Sequence, residues 1–119
     1  TIVNADPNKI KRVIQNLLDN AVKFSYSGGN IITEVQETDK KVYVYVRDNG
    51  KGISESEMKH VFERFFKADT SRGLDKTGVG LGLSIVKEFI NAHGERVEVR
   101  SRDEGGTEFV FTLQPVKQK

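Results

Sequence analysis

The 119-residue sequence contains no cysteine, so neither disulfides nor thiolate metal sites can form, which suits a reducing compartment. No apolar run approaches the roughly 18 residues of a membrane span, and no signal peptide pattern opens the sequence. The 19 basic and 17 acidic side chains nearly cancel, so the overall charge favours neither nucleic acid nor a membrane surface. We expect a single domain over residues 1–119 and, because the sequence does not begin with Met, a fragment of a longer protein.

A run of β-favouring residues at 42–46 predicts a strand whose three valines face one side. Because side chains alternate along a strand, Asp48 falls on that same inward side, where the strand ends. An inward carboxylate is costly unless it is hydrogen-bonded, and Gly50 and Gly52 then allow the backbone to turn sharply or approach a ligand. We interpret this stretch as the floor of a small-molecule pocket. A β-hairpin is the alternative, but it requires a second strand where residues 53–66 have helical periodicity.

A polar stripe lies on the first predicted helix, which begins at Asp6-Pro7, a capping residue followed by proline. Away from the apolar face, Asn16, Asn20 and Lys23 are four and three residues apart and so share one side. A solvent-exposed face is the simpler interpretation, yet asparagine is a poor residue for a helix interior. Amide oxygens suit Mg²⁺ and an ammonium group suits phosphate, so a magnesium and phosphate site is the alternative.

The glycine cluster Gly78–Leu83 follows the polar segment 67–77, whose composition is typical of a mobile lid over a site. Glycines that lead into a helix leave N–H groups free, and these groups together with the helix dipole attract anions. The spacing G-x-G-x-G lacks the third glycine of a dinucleotide fold, and no Walker or protein Ser/Thr kinase motif is present. The cluster therefore indicates a phosphate site of another kind.

The remaining patterns predict a layer of helices on one face of a mostly antiparallel sheet. Hairpins are expected over residues 31–47 and 96–113, where short alternating runs are separated by turn residues. Both histidines, His60 and His93, are interpreted as structural, because neither belongs to a metal-ligand or nucleophile pattern.

A capping box formed by Ser54 and Glu57 predicts a further helix within residues 54–66. Its inward residues are expected to be Met58, Val61, Phe62 and Phe65. Arg64, on the same predicted helix, is either a surface charge or an arginine directed at a phosphate.

Four segments, in this order and at these separations, form a specific combination. They are Gln15–Phe24, the Asp48-x-Gly50-x-Gly52 turn, Phe62–Phe66 and Gly78–Leu83, with a late turn at 105–107. Together they span essentially the whole chain. The sequence resembles the catalytic, ATP-binding domain of bacterial sensor histidine kinases, within a superfamily that includes gyrase, a heat-shock chaperone and the mismatch-repair ATPases.

The resemblance implies a two-layer α/β sandwich of about three helices on a mixed, mostly antiparallel five-stranded sheet, with a mobile ATP lid. It implies that Asp48 accepts the exocyclic amine of adenine and that Asn20 ligates Mg²⁺ with support from Asn16. Lys23 and Arg64 would neutralise phosphate, Arg64 at the γ-phosphate. The other nucleotide-contacting positions would be Phe24, Gly50, Gly52, Ile53, Phe66, Gly78, Gly80, Leu81, Gly82, Leu83 and Thr107.

The resemblance also implies a reaction and its partners. The γ-phosphate of Mg-ATP would pass to a histidine on a separate dimerisation domain of the same parent protein, with a response regulator downstream. The domain itself would be monomeric and cytoplasmic, without nucleic acid, in a homodimeric parent for which a membrane anchor is one possibility.

Three alternatives remain. The first is an ATP-hydrolysing switch, which carries a glutamate base where Asn16 stands; a carboxamide cannot take a proton from water. The second is the related serine kinase that binds sigma factors, and the third is an ATP-binding module without transfer activity. The sequence departs from the common kinase pattern at Phe66, Thr77 and Val79, and at Glu95, where a second glycine is usual.

Overall fold

The computed structural model describes residues 3–24, 28–63, 82–103 and 105–116. In chain order the elements are β1 (Val3–Asn4), α1 (Pro7–Phe24), β2 (Ile31–Glu37), β3 (Val42–Asp48), α2 (Glu55–Met58), α3 (Gly82–Ala92), β4 (Val97–Ser101) and β5 (Thr107–Pro115). None of the helices in these ranges is long and apolar enough to cross a membrane.

The sheet is organised around β5. Strand β3 pairs along one edge of β5 and β4 along the other, while β1 pairs with the C-terminal end of β5 and β2 lies outside β3. Each of these four pairings is antiparallel. The register sets Val44 opposite Phe111 and Val46 opposite Phe109, so the apolar side chains of β3 and β5 share one face.

The core lies between that face and the helices α1 and α3. Phe109 and Phe111 from the sheet, Leu17 from α1 and Val86 and Ile90 from α3 are fully or almost fully buried. The two-layer sandwich with three helices is therefore confirmed. In detail, the described strands contain no parallel pair, whereas the resemblance implied a mixed sheet.

Helix α1 begins as predicted, because the Asp6 carboxylate accepts hydrogen bonds from the N–H groups of Asn8 (3.0 Å) and Lys9 (3.3 Å). Its apolar stripe packs inward except for Val22, which is 64% exposed. Successive helical residues are rotated by roughly 100°, so Val22 is turned to the edge of a stripe centred near Leu17 and Ala21.

Helix α2 is shorter than predicted. The capping box is present, since Ser54 Oγ accepts from the Glu57 N–H (3.2 Å) and donates to its carboxylate (2.9 Å). After Met58, however, the His60 N–H donates to the Glu57 carbonyl and the Glu63 N–H to the His60 carbonyl, both at 2.9 Å. These three-residue turns replace the helical ladder, although they still bury Val61.

The C-terminal end of α3 is fastened to the start of α1. His93 Nε2 accepts a hydrogen bond from the Asp6 N–H (3.0 Å), and its Nδ1 lies 2.8 Å from the Phe89 carbonyl oxygen. Gly94 follows with φ +72, and the Glu95 N–H donates to the Ile90 carbonyl (3.1 Å), which closes the helix as expected for a C-cap glycine. His93 is thus structural in this fold.

Candidate functional site

Asp48 is buried at the end of β3, with 2% of its surface exposed, and it points to the core side as the alternation predicted. Its carboxylate accepts hydrogen bonds from the N–H groups of Gly50 (2.9 Å) and Thr107. Burial raises the pKa of Asp48, while these two bonds and the charge of Arg102 act in the opposite direction. The carboxylate retains further acceptor capacity, which a donor on a bound molecule can use.

The floor beside Asp48 is formed by close contact of two backbone segments. A Cβ atom built on Gly106 would lie 2.0 Å from the carbonyl oxygen of Asp48 and 2.7 Å from the Cα of Asn49, so no other residue fits there without a shift. Gly106 also has φ +91, in the left-handed region that favours glycine. Gly52 has φ +77, and Ile53 after it is buried, so the turn closes over the core.

Thr107 contributes an unpaired polar atom next to Asp48. Thr107 is 1% exposed, and its Oγ1 is buried without a hydrogen-bond partner in the part of the chain that the structure describes. A buried hydroxyl without a partner costs free energy, and native proteins usually pair such groups with protein, water or ligand. The hydroxyl and the Asp48 carboxylate therefore fit the polar edge of a bound base.

At the other end of the site, α1 faces the glycine-led helix α3. Asn16 Nδ2 donates to the carbonyl of Gly82 (3.3 Å), and a Cβ on Gly82 would lie 3.9 Å from the Asn16 side chain. Asn20, one turn further along α1, is half-buried, and Lys23 is exposed. The structure thus brings Asn16 of the predicted polar stripe to the first turn of α3, which Gly82 and the half-buried Leu83 begin.

The described residues contain no group of three or more His, Cys, Asp or Glu side chains that could hold a metal ion. Asn20 carries a neutral amide oxygen, a ligand of the kind that a hard cation such as Mg²⁺ accepts. This side chain would suit a Mg²⁺ ion that keeps its other ligands as water and phosphate.

Two residues that the sequence did not single out hold the Asp48 turn in place. Arg102 Nη1 donates to the Asp48 main-chain carbonyl (2.8 Å), and Asn49 Oδ1 accepts from the Asn30 N–H (2.9 Å). Both contacts link segments that are distant in sequence, so no local pattern indicates them. The predicted hairpin over residues 96–113 would have indicated Arg102 only if its register against β3 had been known.

Several predicted site residues lie outside the described part of the chain. They are Arg64, Phe66, Gly78, Gly80, Leu81 and the side chain of Phe24. Their proposed contacts therefore remain predictions from the sequence.

A cavity of about 360 Å³ lies on the opposite face of the sheet, over Tyr43, Tyr45 and the buried Val110. On its rim, Lys41 Nζ lies 2.7 Å from the Glu95 carboxylate, and Arg100 pairs with Glu98. It contains none of the predicted site residues and is separate from the Asp48 site.

Comparison with known proteins assigns this arrangement to a family. Residues 5–117 match the model described as histidine kinase-, DNA gyrase B- and HSP90-like ATPase, and the chain belongs to this ATPase family. Within it, the chain corresponds to the catalytic, ATP-binding part of sensor histidine kinases, as the resemblance implied.

The relatives are longer proteins. Sensor histidine kinase WalK of Bacillus subtilis is 38% identical over an alignment of 119 positions, which covers 98% of this chain and 19% of that protein. Sensor protein KdpD of Clostridium acetobutylicum is 41% identical over 112 residues, 94% of this chain and 12% of that protein. The chain thus spans less than a fifth of the length of these two relatives.

Solved structures agree in fold. The mycobacterial sensor histidine kinase MprB superposes with a TM-score of 0.85 at 33% identity, covering 96% of this chain and 78% of that one. The full-length kinase ShkA, solved in complex with AMPPNP, superposes with a TM-score of 0.80 at 28% identity, covering 98% of this chain and 24% of that one.

Proposed function

We propose that this chain binds Mg-ATP and donates the γ-phosphate to a histidine on a separate dimerisation domain of its parent protein. The observation that carries the proposal is the pairing of a buried carboxylate with an unpartnered buried hydroxyl, Asp48 and Thr107, at one end of a site. At the proposed other end, the Asn16 amide of α1 contacts the first residue of the glycine-led helix. Kinship with sensor histidine kinases supports this assignment.

The Asp48 end suits adenine. An ionised carboxylate accepts the exocyclic amine of adenine and repels the carbonyl oxygen that guanine carries at the equivalent position. Thr107 Oγ1 can donate to or accept from the same edge of the base, which would satisfy the one buried side-chain atom left unpaired among the described residues. Gly50, Gly52 and Ile53 would form the surface under the ring.

The α1 and α3 end suits a triphosphate. The first N–H groups of α3 have no partner within the helix and carry its positive dipole end, so they favour negative charge near Gly82 and Leu83. Lys23 adds a positive side chain, and Asn20 would ligate Mg²⁺ with Asn16 beside it. From the resemblance we add Arg64 at the γ-phosphate, Phe24 and Phe66 near the nucleotide, and the backbone of Gly78, Gly80 and Leu81 around the phosphates.

Transfer suits these residues better than hydrolysis. Asn16 stands where the hydrolysing members of the superfamily carry a glutamate base, and a carboxamide cannot accept a proton from water. Phosphoryl transfer needs mainly positioning and charge neutralisation from the protein, so a site without its own base is sufficient. We place the domain in the cytoplasm, where ATP is supplied, with a response regulator as the later phosphate acceptor.

A mixing experiment tests the proposal. The chain is incubated with γ-labelled ATP and Mg²⁺, alone and with the histidine-bearing dimerisation domain of its parent. We expect label only in the mixture, on the added domain, as a phosphate that is lost in acid and stable in base. An acid-stable label would instead support a serine kinase, and ATP binding without any label would support a module without transfer activity.

A further inference from the structure

We propose that Arg102, on the β4–β5 hairpin, is a positioning residue for the nucleotide site: it fastens the Asp48 turn and supplies positive charge behind the buried carboxylate. This inference rests on the proposed function, because it concerns the residue that would recognise the base. Arg102 does not touch that base itself. It would act through the main chain and the charge of Asp48.

The hairpin directs Arg102 at Asp48. Arg102 directly follows Ser101, the last residue of β4, which pairs with Thr107. Its N–H donates to the Gly106 carbonyl (3.2 Å), and its own carbonyl accepts from the Gly105 N–H (3.0 Å). With its backbone fixed at both ends, the half-buried side chain reaches the Asp48 carbonyl, where Nη1 donates at 2.8 Å.

This bond closes a ring of contacts around the turn. Gly106 packs against the same Asp48 carbonyl, and the Thr107 N–H donates to the Asp48 carboxylate. Three residues of one hairpin, Arg102, Gly106 and Thr107, therefore contact Asp48. A charged donor to a carbonyl forms a stronger bond than a neutral one, so Arg102 adds a charge-assisted bond to those that hold the turn at the hairpin edge.

The charge of Arg102 also acts on the carboxylate. Burial raises the pKa of Asp48, and an ionised acceptor is needed for the amine of adenine, so a nearby positive charge keeps the acceptor in its binding form. Of the neighbouring charges, Arg47 points to the opposite sheet face, where it pairs with carboxylates of β2 and β5. Lys51 and Asp103 are exposed on the two turns.

The variants separate charge from geometry. Arg102→Gln removes the charge but keeps an amide donor, and Arg102→Lys keeps the charge but not the planar fork. The control is Arg100→Gln, because Arg100 lies two residues away, is 58% exposed and pairs with Glu98 on the outer face. This variant loses the same charge from the same hairpin, at a residue whose ion pair is with Glu98.

Two measurements are made on each variant of this chain. The first is the pH titration of the Asp48 carboxyl carbon by NMR without nucleotide, and the second is ADP affinity by calorimetry across the same pH range. We expect Arg102→Gln to raise the pKa of Asp48 and to weaken ADP binding about three- to tenfold on the acid side. In Arg102→Lys the pKa of Asp48 should return to its value in the parent chain, and Arg100→Gln should match the parent chain in both measurements.

The outcomes are separable. If Arg102→Gln titrates and binds ADP like the parent chain, the inference is wrong. If Arg102→Gln and Arg100→Gln weaken binding equally, only general charge is involved and the positioning role is again wrong. If the parent chain binds no ADP, the proposed function fails, while the carboxyl titration still decides whether Arg102 acts on Asp48. Should Arg102→Gln not fold, the same titration is made on Arg102→Met, which keeps the apolar stem and removes the charge, and an unchanged pKa of Asp48 in that variant would show that the inference is wrong.

Discussion

Gly106 and Asp48 are in main-chain contact so close that a Cβ on Gly106 would lie 2.0 Å from the Asp48 carbonyl oxygen. The contact joins the turn after β3 to the hairpin between β4 and β5. It brings Thr107, whose N–H donates to the Asp48 carboxylate, to the same turn, and the purine end of the proposed site is built on this contact.

Substituting this glycine should therefore disturb both stability and binding. We expect Gly106→Ala to lower the free energy of unfolding by about 3 kcal/mol or more. The added methyl group would clash with rigid backbone, and alanine would have to adopt the positive φ of this position. ADP affinity should fall with it. Urea unfolding and calorimetric titration measure the two effects.

Gly105→Ala is the matched control. Gly105 also has positive φ, at +98, but a Cβ there would meet nothing within 4 Å. It should lose only the conformational share, on the order of 1–2 kcal/mol, with ADP affinity unchanged. Equal losses in both variants would show that the close contact with Asp48 is unimportant.

Removing the unpaired hydroxyl of Thr107 should change stability and nucleotide affinity in opposite directions. Thr107→Val keeps the shape but removes a buried polar atom without a partner among the described residues, so nucleotide-free stability should stay equal or rise by about 1 kcal/mol. Nucleotide affinity should fall, since the base loses a hydrogen bond. Thermal unfolding with and without ADP measures both. Lower stability with unchanged affinity would mean that the hydroxyl serves the fold.

The proposed role of Asn20 is tested by removing magnesium. We expect Asn20→Ala to weaken ATP binding about tenfold in Mg²⁺, because one ion ligand is lost, and to have little effect in EDTA. Gln15→Ala, an exposed position on the same helix, is the control and should behave like the parent chain. A loss of the same size in EDTA would argue against a metal ligand.

Glu95, which stands where a second glycine is usual, should contribute to stability and not to nucleotide binding. Its side chain is 5% exposed and accepts hydrogen bonds from Lys41 and Thr112, both at 2.7 Å. Burial raises the pKa of Glu95, but the bonds from Lys41 and Thr112 outweigh it and leave the pKa lowered. Glu95→Gln should lower the free energy of unfolding by about 1.5–3 kcal/mol at neutral pH.

The pH dependence of this loss follows from the lowered pKa. The stabilisation by the Glu95 carboxylate is complete above its unfolded pKa and is lost as pH falls through the folded pKa, so the two proteins should converge in acid. Urea unfolding at several pH values measures it. The control is Glu98→Gln, because Glu98 forms an exposed ion pair and its loss should change stability by less than about 1 kcal/mol. If Glu98→Gln lost as much stability as Glu95→Gln, the buried position of Glu95 would not explain the loss.

The sequence predicted the elements that depend on local chemistry. The Asp6 cap and the inward position of Asp48 each follow from a single residue type and its spacing, and each is present. The helix after Ser54 was predicted too long, because apolar spacing of three and four fits successive three-residue turns as well as an α-helix.

The contacts that assemble the site were not predictable in the same way. Arg102 and Gly106 meet Asp48 only because the β4–β5 hairpin packs in one register beside β3, and register is a tertiary property. Likewise, Asn16 was recognised by its place on α1, but its hydrogen bond to Gly82 depends on how α1 packs on α3. Glu95 was noted only as a departure from a glycine, and its partners come from the turn before β3 and from β5.

Calorimetric titration of Asp48→Asn with ATP tests the account most directly, with Asp39→Asn, an exposed turn position, as its control. The substitution keeps the size of the side chain but replaces an ionised acceptor with a neutral amide. We predict a loss of about 1.5–3 kcal/mol of binding free energy at neutral pH for Asp48→Asn and none for the control. Unchanged ATP affinity in Asp48→Asn would contradict the account.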